Sequence, residues 1–426
     1  MLRWRVAILV SAAIAISYLD RQALPVAIGA IREDIPISNQ VKAFLDSAFL
    51  VTYGLMYLGG GRLMDVLGTR RGFTVIMIFW SVACASHGFA ANVIMLAVSR
   101  LLLGVGEGGR FPAATRAVTE WFPVKERAAA MGIINAGTAV GGVIAPPFIA
   151  AVILHVHWLE LASWRWVFFI MGTAGLVWTA WWLKNYFPPD EHPGLHPALL
   201  AAERATIESS AEQPAAVPAV PLRELLRFRA TWGIVTAKFL SDAAWYFYIF
   251  WLPKYLLDAR GFDIKGVGSV AWIPFAAAGV GCLLGGGMSS WLIHRGRSVN
   301  LARKIPLGLA ATVMPCVILV PHVSLPWCIA LFSLVFLGHQ WWSTLIMILP
   351  TDLFPKRAVG TVAGLVGLGG AMGGVVFGQL AGWLLDHGFS YAPVLAIAGS
   401  LHIVAFLILL TMVRSLQLLP IREPLK

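Results

Sequence analysis

The chain has 426 residues, of which 58% are hydrophobic and only 12% are charged. A soluble domain carries roughly 25% charged residues, so this composition excludes an ordinary soluble globular protein. The net charge of +11 could suggest a nucleic-acid partner, but the basic residues are collected into short clusters between long apolar runs. That pattern indicates a helical protein that crosses a membrane many times, with no nucleic acid involved.

The apolar runs are continuous and about twenty residues long, which is the length that an α-helix needs to cross a bilayer. We predict an all-α membrane protein with twelve transmembrane helices, at about residues 4–26, 43–63, 73–91, 93–116, 129–154, 164–186, 231–257, 266–293, 304–321, 325–349, 358–384 and 390–413. A polar stretch that includes a proline- and alanine-rich segment divides them six and six. The predicted units are an N-terminal six-helix bundle (1–187), a cytoplasmic linker loop (188–229) and a C-terminal six-helix bundle (230–426).

Asp20 and Arg21 lie side by side inside the first apolar run. A charge near the centre of a bilayer costs from about 3 to more than 10 kcal/mol, so it persists mainly where it has a function. A structural ion pair, or a position at the outer edge of the span, is one interpretation, and a substrate or proton site is the other. Because the run is long and contains both charges, we interpret it as an uncleaved helix rather than a signal peptide.

The basic clusters fall on one side of the predicted membrane. They precede span 1 and follow spans 2, 4, 6, 8 and 10, whereas the opposite loops contain fewer basic residues, among them Lys42 and Lys254. By the positive-inside rule both termini are predicted to be cytoplasmic. The four cysteines lie within predicted spans and are not spaced for a metal, so we expect neither a metal nor a cofactor.

Two sequence patterns occur twice, once in each half of the chain. The glycine-containing segment 61–71 is followed by a similar segment at 286–297, and the segment 119–128 is similar to 351–358. Because both repeats are separated by nearly the same distance, they indicate a duplicated six-helix unit in one orientation.

The loop after span 2 is a candidate gating element. Gly61 and Gly68 permit close helix packing and a tight turn, and Asp65 can pair with a neighbouring helix terminus or arginine. Arg70 and Arg71 are expected to hold the loop at the cytoplasmic face. A loop that only sets the topology is the alternative.

Span 4 contains Arg100 and Glu107, which are seven residues apart and therefore share one helix face. Arg110 lies three residues further on, and it could reach toward the membrane surface instead. In hydrocarbon the charged face must point into the bundle or a watery cavity. A carboxylate in such a place is a candidate proton carrier.

These motifs resemble those of the major facilitator superfamily over essentially the whole chain. The segment Gly61-x-Leu63-x-Asp65-x-x-Gly68-x-Arg70-Arg71 is similar to its loop 2–3 motif. Within the superfamily the chain resembles the anion:cation symporter family, and in particular its hexuronate and galactonate-type transporters of sugar acids. The matching residues are Tyr18-Leu19-Asp20-Arg21, Arg100 with Glu107, Phe111-Pro112-Ala113, Glu120-Trp121-Phe122-Pro123, Ala145-Pro146-Pro147 and Gly338-His339-Gln340.

The resemblance implies site roles. It gives Asp20 and Glu107 proton-coupling roles and Arg21 a role in binding the substrate anion, and it makes Tyr53 a substrate contact. Arg100 is expected to tune Glu107. The hydroxyl groups of a sugar acid would need further polar partners, for which the candidates on facing spans are Asn135, Thr138, Trp245, Tyr246, Tyr248, His339 and Gln340. For each aromatic side chain, packing is the alternative role. Asp242 and Lys238 are expected to form a structural ion pair in span 7.

The implied function is import of a small organic anion (a hexuronate, aldonate or related sugar acid) by proton symport with alternating access, in the inner membrane, as a monomer surrounded by lipid. The chain is not expected to be an enzyme, because no catalytic or metal-binding motif is present. The alternatives are a carboxylate of another kind, such as tartrate or phthalate, sodium coupling, a drug exporter, or a transporter-like membrane sensor.

Overall fold

The computed structural model describes residues 2–189 and 220–419, and these are helical apart from short connections. The helices are α1 Leu2–Asp34, α2 Asn39–Ser86, α3 Val93–Gly108, α4 Arg110–Trp121, α5 Val124–His155, α6 Ser163–Asn185, α7 Leu222–Leu225, α8 Arg229–Arg260, α9 Ile264–Val270, α10 Trp272–His294, α11 Val299–Val313, α12 Leu325–Ile346, α13 Leu349–Leu353, α14 Lys356–Asp386 and α15 Tyr391–Met412. Two 3₁₀ helices, His87–Phe89 and Met314–His322, complete them. Most of the predicted linker lies outside the described residues, so the division at 187 and 230 stays a prediction.

The helices account for the predicted spans. Within the described ranges, nine stretches are long and apolar enough to cross a membrane. The other three predicted spans are the first part of α2, the α3–α4 pair and α8. Each of them contains buried charged residues, which lower the apolar character that identifies a span. The fold is thus all-α, and two of its three less apolar spans, the first part of α2 and the α3–α4 pair, contribute to the candidate site together with α1.

Two predicted boundaries are wrong. The loop predicted after span 2 is helical, because α2 continues through it with a kink at Gly68, whose φ of 72° favours glycine. Span 9 was predicted as one helix over 304–321, but α11 ends at Val313 and a 3₁₀ helix follows. Pro315 explains this change, since proline has no N–H to donate and its ring disturbs the preceding turn.

The repeated motif of residues 119–128 and 351–358 has the same local structure in both halves. Pro123 caps α5 with φ −62° and ψ 153°, and Pro355 caps α14 with φ −62° and ψ 152°. The preceding Phe122 and Phe354 are both buried. A proline in this extended conformation starts each helix without leaving an unpaired N–H group.

The acidic residue of each motif ties neighbouring helices together. Glu120 accepts hydrogen bonds from the Thr69 hydroxyl at 2.5 Å and the Tyr186 hydroxyl at 2.6 Å. In the C-terminal half, Asp352 accepts from Arg303 at 2.9 Å, and Arg303 also donates to Ser289 at 2.7 Å. Glu120 therefore holds α2 just after its kink at Gly68, and Asp352 holds α11 beside α10 through Arg303.

The two halves contact each other along helix pairs. α2 packs against α14, α5 against α9 and α10, and α1 against α8. Small residues permit these approaches: a side-chain carbon added at Gly54 would lie 2.9 Å from the Ala371 methyl group, and one at Gly142 would lie 2.5 Å from the Phe275 ring.

Polar contacts join the halves at the end of the molecule where α1 connects to α2. The backbone N–H groups of Asn39 and Gln40 donate to the Asp386 carboxylate at 3.0 and 2.7 Å. The Gln40 side chain also donates to Gln379 at 2.5 Å, and Arg32 lies 3.6 Å from Asp258. Because the first N–H groups of a helix lack helical partners, they are well suited to hold an acid. This end of the interface is closed.

We predict that Gly373→Ala destabilises the C-terminal half. An added methyl group at this position of α14 would collide with the backbone carbonyl oxygen of Phe239 in α8. Overpacking of this kind costs about 1–3 kcal/mol, so the melting temperature in detergent should fall.

Gly378→Ala is the matched control on the same helix, because an added methyl group there meets no atom within 4 Å. Its melting temperature should be unchanged or slightly raised, since alanine favours helix. Equal melting temperatures for Gly373→Ala and the unmodified protein would show that the two helices do not pack as described.

Candidate functional site

Asp20 and Arg21 do not pair with each other. Consecutive residues of a helix point about 100° apart, so the two side chains meet different neighbours. Asp20 faces α2, where it accepts hydrogen bonds from the Trp80 indole at 2.5 Å and the Cys84 thiol at 3.4 Å. Arg21 faces α3 and donates to Glu107 at 2.9 Å. The adjacent charges predicted from the sequence therefore belong to two separate environments.

Glycines bring α3 close enough for this contact. Added side-chain atoms at Gly104, Gly106 and Gly108 would collide with α2, which surrounds α3 with the two arms on either side of its kink. The helix is interrupted at Gly109, between α3 and α4. Such close packing of backbones places the last turn of α3 in the interior of the bundle.

One carboxylate oxygen of Glu107 accepts three hydrogen bonds. The donors are the Ser17 hydroxyl at 3.1 Å, Arg21 at 2.9 Å and Arg110 at 3.1 Å. Glu107 is 0% exposed, and both arginines are at most 2% exposed. The second carboxylate oxygen is buried and has no hydrogen-bond partner among the described residues. Arg110, whose role the sequence left open, is thus a buried partner of Glu107 and does not reach toward the membrane surface.

Aromatic rings surround the two guanidinium groups. Arg21 lies 4.5 Å from the Tyr53 ring and 5.1 Å from the Phe49 ring. The Tyr53 hydroxyl accepts from Arg110 at 3.2 Å and lies 3.0 Å from the Tyr57 hydroxyl. A guanidinium group is stabilised over such rings when water is excluded. We call Ser17, Arg21, Tyr53, Glu107 and Arg110 the Glu107 cluster.

The expectation that Arg100 tunes Glu107 stays a prediction, because the direct contacts of Arg100 lie on α2. Arg100 approaches Asp46 at 3.5 Å and the Leu45 carbonyl oxygen at 3.4 Å, both on α2, and it lies 4.6 Å from the Phe49 ring. Seven residues correspond to almost two helical turns, so Arg100 lies about 10 Å along the axis from Glu107. The partner of Glu107 on its own helix face is Arg110, only three residues away.

Two lysines that the sequence placed in loops are buried on helices. Lys42 is 0% exposed, pairs with Asp46 at 2.6 Å and lies 4.5 Å from the Trp251 ring. Lys254 is 2% exposed and pairs with Asp258, one turn further along α8. Lys42 precedes the predicted start of span 2 at residue 43, but α2 begins at Asn39, whereas Lys254 lies within the predicted span 231–257 although it was counted with the loop that follows.

The other predicted substrate contacts are dispersed. Tyr246 packs against Gly374 of α14 at the interface between the halves. Asn135 is exposed on α5, and the Thr138 hydroxyl donates to the Asn135 carbonyl oxygen at 2.7 Å. Gln340 is half-buried, and Tyr248 is fully buried against phenylalanine rings of α12.

His339 is 1% exposed, and Trp245 stacks on it with the ring centres 4.5 Å apart. The two nitrogens of His339 face His402 and Asp242, so a direct substrate contact from this ring is not supported. Lys238 and Asp242 form the predicted pair, at 2.9 Å.

The loop predicted as a gating element is described only in part. The surroundings of Gly61 and the side chain of Asp65 lie outside the described part of the structure, and Gly68 forms the kink of α2. Arg70 donates to the Leu183 carbonyl oxygen at 2.6 Å and lies 4.2 Å from the Phe187 ring, whereas Arg71 is exposed. Arg70 therefore joins α2 to the end of α6 within its own half.

Several residues of the site were not predicted. Ser17 lies one turn before Arg21 and could have been found by helical spacing, as could the Lys42–Asp46 pair. Tyr57 lies one turn after Tyr53 and could also have been found by spacing. Trp80 and His402 reach their partners only through packing between helices, which spacing along the chain does not reveal.

Comparison with known proteins defines the class. The family model of the Major Facilitator Superfamily matches residues 10–378, so the chain belongs to this superfamily of membrane transporters and is not an enzyme. The many apolar helices agree with a multi-pass protein of the inner membrane.

Three relatives are similar over most of the chain. The hexuronate transporter of Escherichia coli (strain K12) is 30% identical over 97% of this chain and 94% of its own length. The galacturonate transporter of Dickeya chrysanthemi is 35% identical over 74% and 89%, and the probable sulfoacetate transporter of Cupriavidus necator is 34% identical over 91% and 88%.

Among solved structures, a bacterial homologue of the human lysosomal transporter Spinster superposes with a TM-score of 0.69. The two chains are 20% identical, with 96% of this chain and 95% of the other covered. This likeness confirms the predicted transporter fold.

Proposed function

We propose that this protein is a secondary active transporter that imports a small organic anion together with protons. The substrate class is a hexuronate, aldonate or related sugar acid. The observation that carries the proposal is the buried Glu107 carboxylate held by both Arg21 and Arg110. The relatives named as hexuronate and galacturonate transporters support the sugar-acid class, and the relative named for sulfoacetate also handles an organic anion.

The charges of the Glu107 cluster suit one carboxylate. Arg21 and Arg110 provide two positive charges, and Glu107 provides one negative charge, so the cluster has an excess of one positive charge. An arginine binds a carboxylate through two parallel hydrogen bonds. In the ligand-free arrangement, however, the Glu107 carboxylate occupies the guanidinium groups that a substrate carboxylate would need.

Protonation of Glu107 removes this competition. A neutral carboxyl group holds the arginines much more weakly than a carboxylate does, so both guanidinium groups become available to the substrate. Because binding free energies are linked, the bound substrate must favour the proton by the same factor. Anion and proton then bind and leave together, as symport requires.

The remaining residues of the site have supporting roles in this proposal. Tyr53 orients Arg110 and offers its hydroxyl group to the sugar acid, and Tyr246 faces it from the opposite half. Asn135, Thr138 and Gln340 are available for other hydroxyl groups once the halves separate, and Trp245 provides an apolar wall.

Asp20 is the second proposed proton carrier. It is 1% exposed, and it lies against Trp80, away from the substrate groups. Its proton would be bound beside the site instead of in competition with the substrate. Arg100 is reassigned to the Lys42–Asp46 pair, where it connects α3 to the outer part of α2.

Alternating access follows from the interface between the halves. The closed end is held by Asp386, Gln379 and Arg32, so opening it requires these contacts to break. The glycine contacts of α2 with α14 and of α5 with α10 allow the halves to rock without large side chains obstructing them. In the proposed orientation both termini are cytoplasmic and the closed end faces the periplasm, and the transporter works as a monomer.

We predict that proteoliposomes containing the protein take up labelled galacturonate or galactonate when the outside is acidic. The proton gradient supplies the free energy, so a protonophore should abolish accumulation but leave exchange of labelled for unlabelled substrate intact. Uptake should be measured with a pH gradient and, separately, with a sodium gradient at uniform pH.

Tartrate and sulfoacetate serve as competing anions in the same assay. Stronger inhibition by either than by unlabelled galacturonate would replace the sugar-acid assignment with another organic anion. Accumulation on the sodium gradient alone would replace the proton with sodium.

We predict that Glu107→Gln separates exchange from accumulation. The amide imitates the neutral carboxyl group, so the variant should exchange substrate but lose the part of its uphill accumulation on a pH gradient that the Glu107 proton drives. Arg21→Ala should lose both activities, because nothing then offsets the cost of dehydrating the substrate carboxylate.

Glu126→Gln is the matched control, because Glu126 makes a partly exposed pair with Arg3 outside the cluster. It should retain both activities. If Glu107→Gln concentrates substrate on a pH gradient as well as the unmodified protein does, Glu107 carries no coupled proton.

A further inference from the structure

The C-terminal half contains a second row of buried titratable groups. The ring nitrogens Nδ1 of His339 on α12 and Nε2 of His402 on α15 lie 3.1 Å apart. On the other side of the same ring, Nε2 of His339 lies 3.8 Å from the Asp242 carboxylate on α8, which pairs with Lys238 at 2.9 Å. The row therefore runs from His402 through His339 and Asp242 to Lys238.

All four residues are buried, and the hydroxyl group of Tyr246, one turn after Asp242 on α8, is a further titratable group near the row. The exposed fraction is 0% for His402, 1% for His339 and 6% for each of Lys238 and Asp242. The helices packed around His339 contribute apolar surface: α10 contacts α12 through Gly281 and Gly285, and α11 contacts it through Ala310 and Val313. Four polar groups in such surroundings are costly unless they serve a purpose.

The hydrogen bonds allow one favourable arrangement of protons. Suppose that His402 donates its Nε2 proton to Nδ1 of His339. Then His339 must carry its own proton on Nε2, which points at the Asp242 carboxylate. In the opposite arrangement a bare nitrogen of His339 would face that carboxylate, and two acceptors would repel each other.

The favourable arrangement leaves one open position at the end of the row. Nδ1 of His402 then has no proton, and it is buried without a hydrogen-bond partner. A proton can therefore bind there. At the other end, Lys238 donates to the Ser343 hydroxyl at 2.9 Å, whereas its contact with Asp242 lacks hydrogen-bond geometry. The lysine is thus held by both the Ser343 hydroxyl and the Asp242 carboxylate, each at 2.9 Å.

We propose that this row is a further proton site, in addition to Glu107 and Asp20, which carries a proton to Asp242 and thereby frees Lys238 as a positive charge for the bound anion. An N–H bond forms at Nδ1 of His402 while its Nε2 proton passes to His339. The Nε2 proton of His339 passes in turn to the Asp242 oxygen when their 3.8 Å separation shortens to hydrogen-bond distance or one water bridges it. One proton enters from water, one carboxylate becomes neutral, and Lys238 is left without a counter-charge until the anion binds.

This inference rests on the proposed proton symport and adds to it a proton that the Glu107 cluster does not supply. The row lies on three helices of the C-terminal half, whereas Glu107 and Asp20 lie in the N-terminal half. Glu107 with its arginines and Asp242 with Lys238 act in the same way, because in each case protonation of the acid releases a cation to the substrate. The anion would then be held by cations from both halves.

The test is the number of protons coupled to each substrate, measured in proteoliposomes with the membrane potential held at zero. One finds the substrate gradient at which net flux stops for a given pH gradient. Each coupled proton multiplies that gradient about tenfold per pH unit. His339→Gln should therefore reduce it about tenfold at a gradient of one pH unit, whereas the control His294→Gln, an exposed histidine, should not change it.

His402→Gln provides a second variant that also leaves the Lys238–Asp242 pair in place, and it should cause the same loss. The stalling gradient is the substrate gradient at which net flux stops. If it is unchanged in either variant while the unmodified protein shows proton-driven uptake, this inference is overturned and the proposed function stays intact. If the unmodified protein shows no stalling gradient set by pH, the proposed symport itself fails and the further site fails with it.

Discussion

The site depends on one interaction, the sharing of a buried carboxylate between two guanidinium groups. A carboxylate and an arginine each lose several kcal/mol of hydration when water is removed, and their attraction repays this only with good geometry. Glu107 has that geometry, with Arg21, Arg110 and Ser17 all within 3.1 Å of one oxygen. The arrangement is stable only while the acid is charged or an anion replaces it, and in the proposed mechanism this condition couples the proton to the substrate.

The fold serves this interaction by bringing three helices together at one point. α1 supplies Ser17 and Arg21, the α3–α4 junction supplies Glu107 and Arg110, and α2 supplies Tyr53. The glycines of α3 make the approach possible, because any side chain at Gly104 would collide with α2. At the outer end, the pairs of Lys42 and Arg100 with Asp46 lie on two of the same helices, α2 and α3.

Much of this architecture could be predicted from the sequence. Run length and charge placement predicted the spans, and the intramembrane charges pointed to Arg21 and Glu107. Pairing was harder, because helical spacing shows which residues share a face but not which helix that face meets. Arg100 was therefore assigned to Glu107, although it contacts Asp46. The His339–His402 contact joins residues 63 positions apart and depends entirely on packing between helices.

The most direct test is substrate binding to the purified protein in detergent, without any gradient. The affinity for galacturonate should be measured at about pH 6 and about pH 8, for the unmodified protein and for Glu107→Gln. If the substrate competes with the Glu107 carboxylate, the affinity of the unmodified protein falls as the pH rises, and Glu107→Gln weakens this dependence by up to about tenfold per pH unit. Binding that responds to pH equally in both proteins would contradict the account.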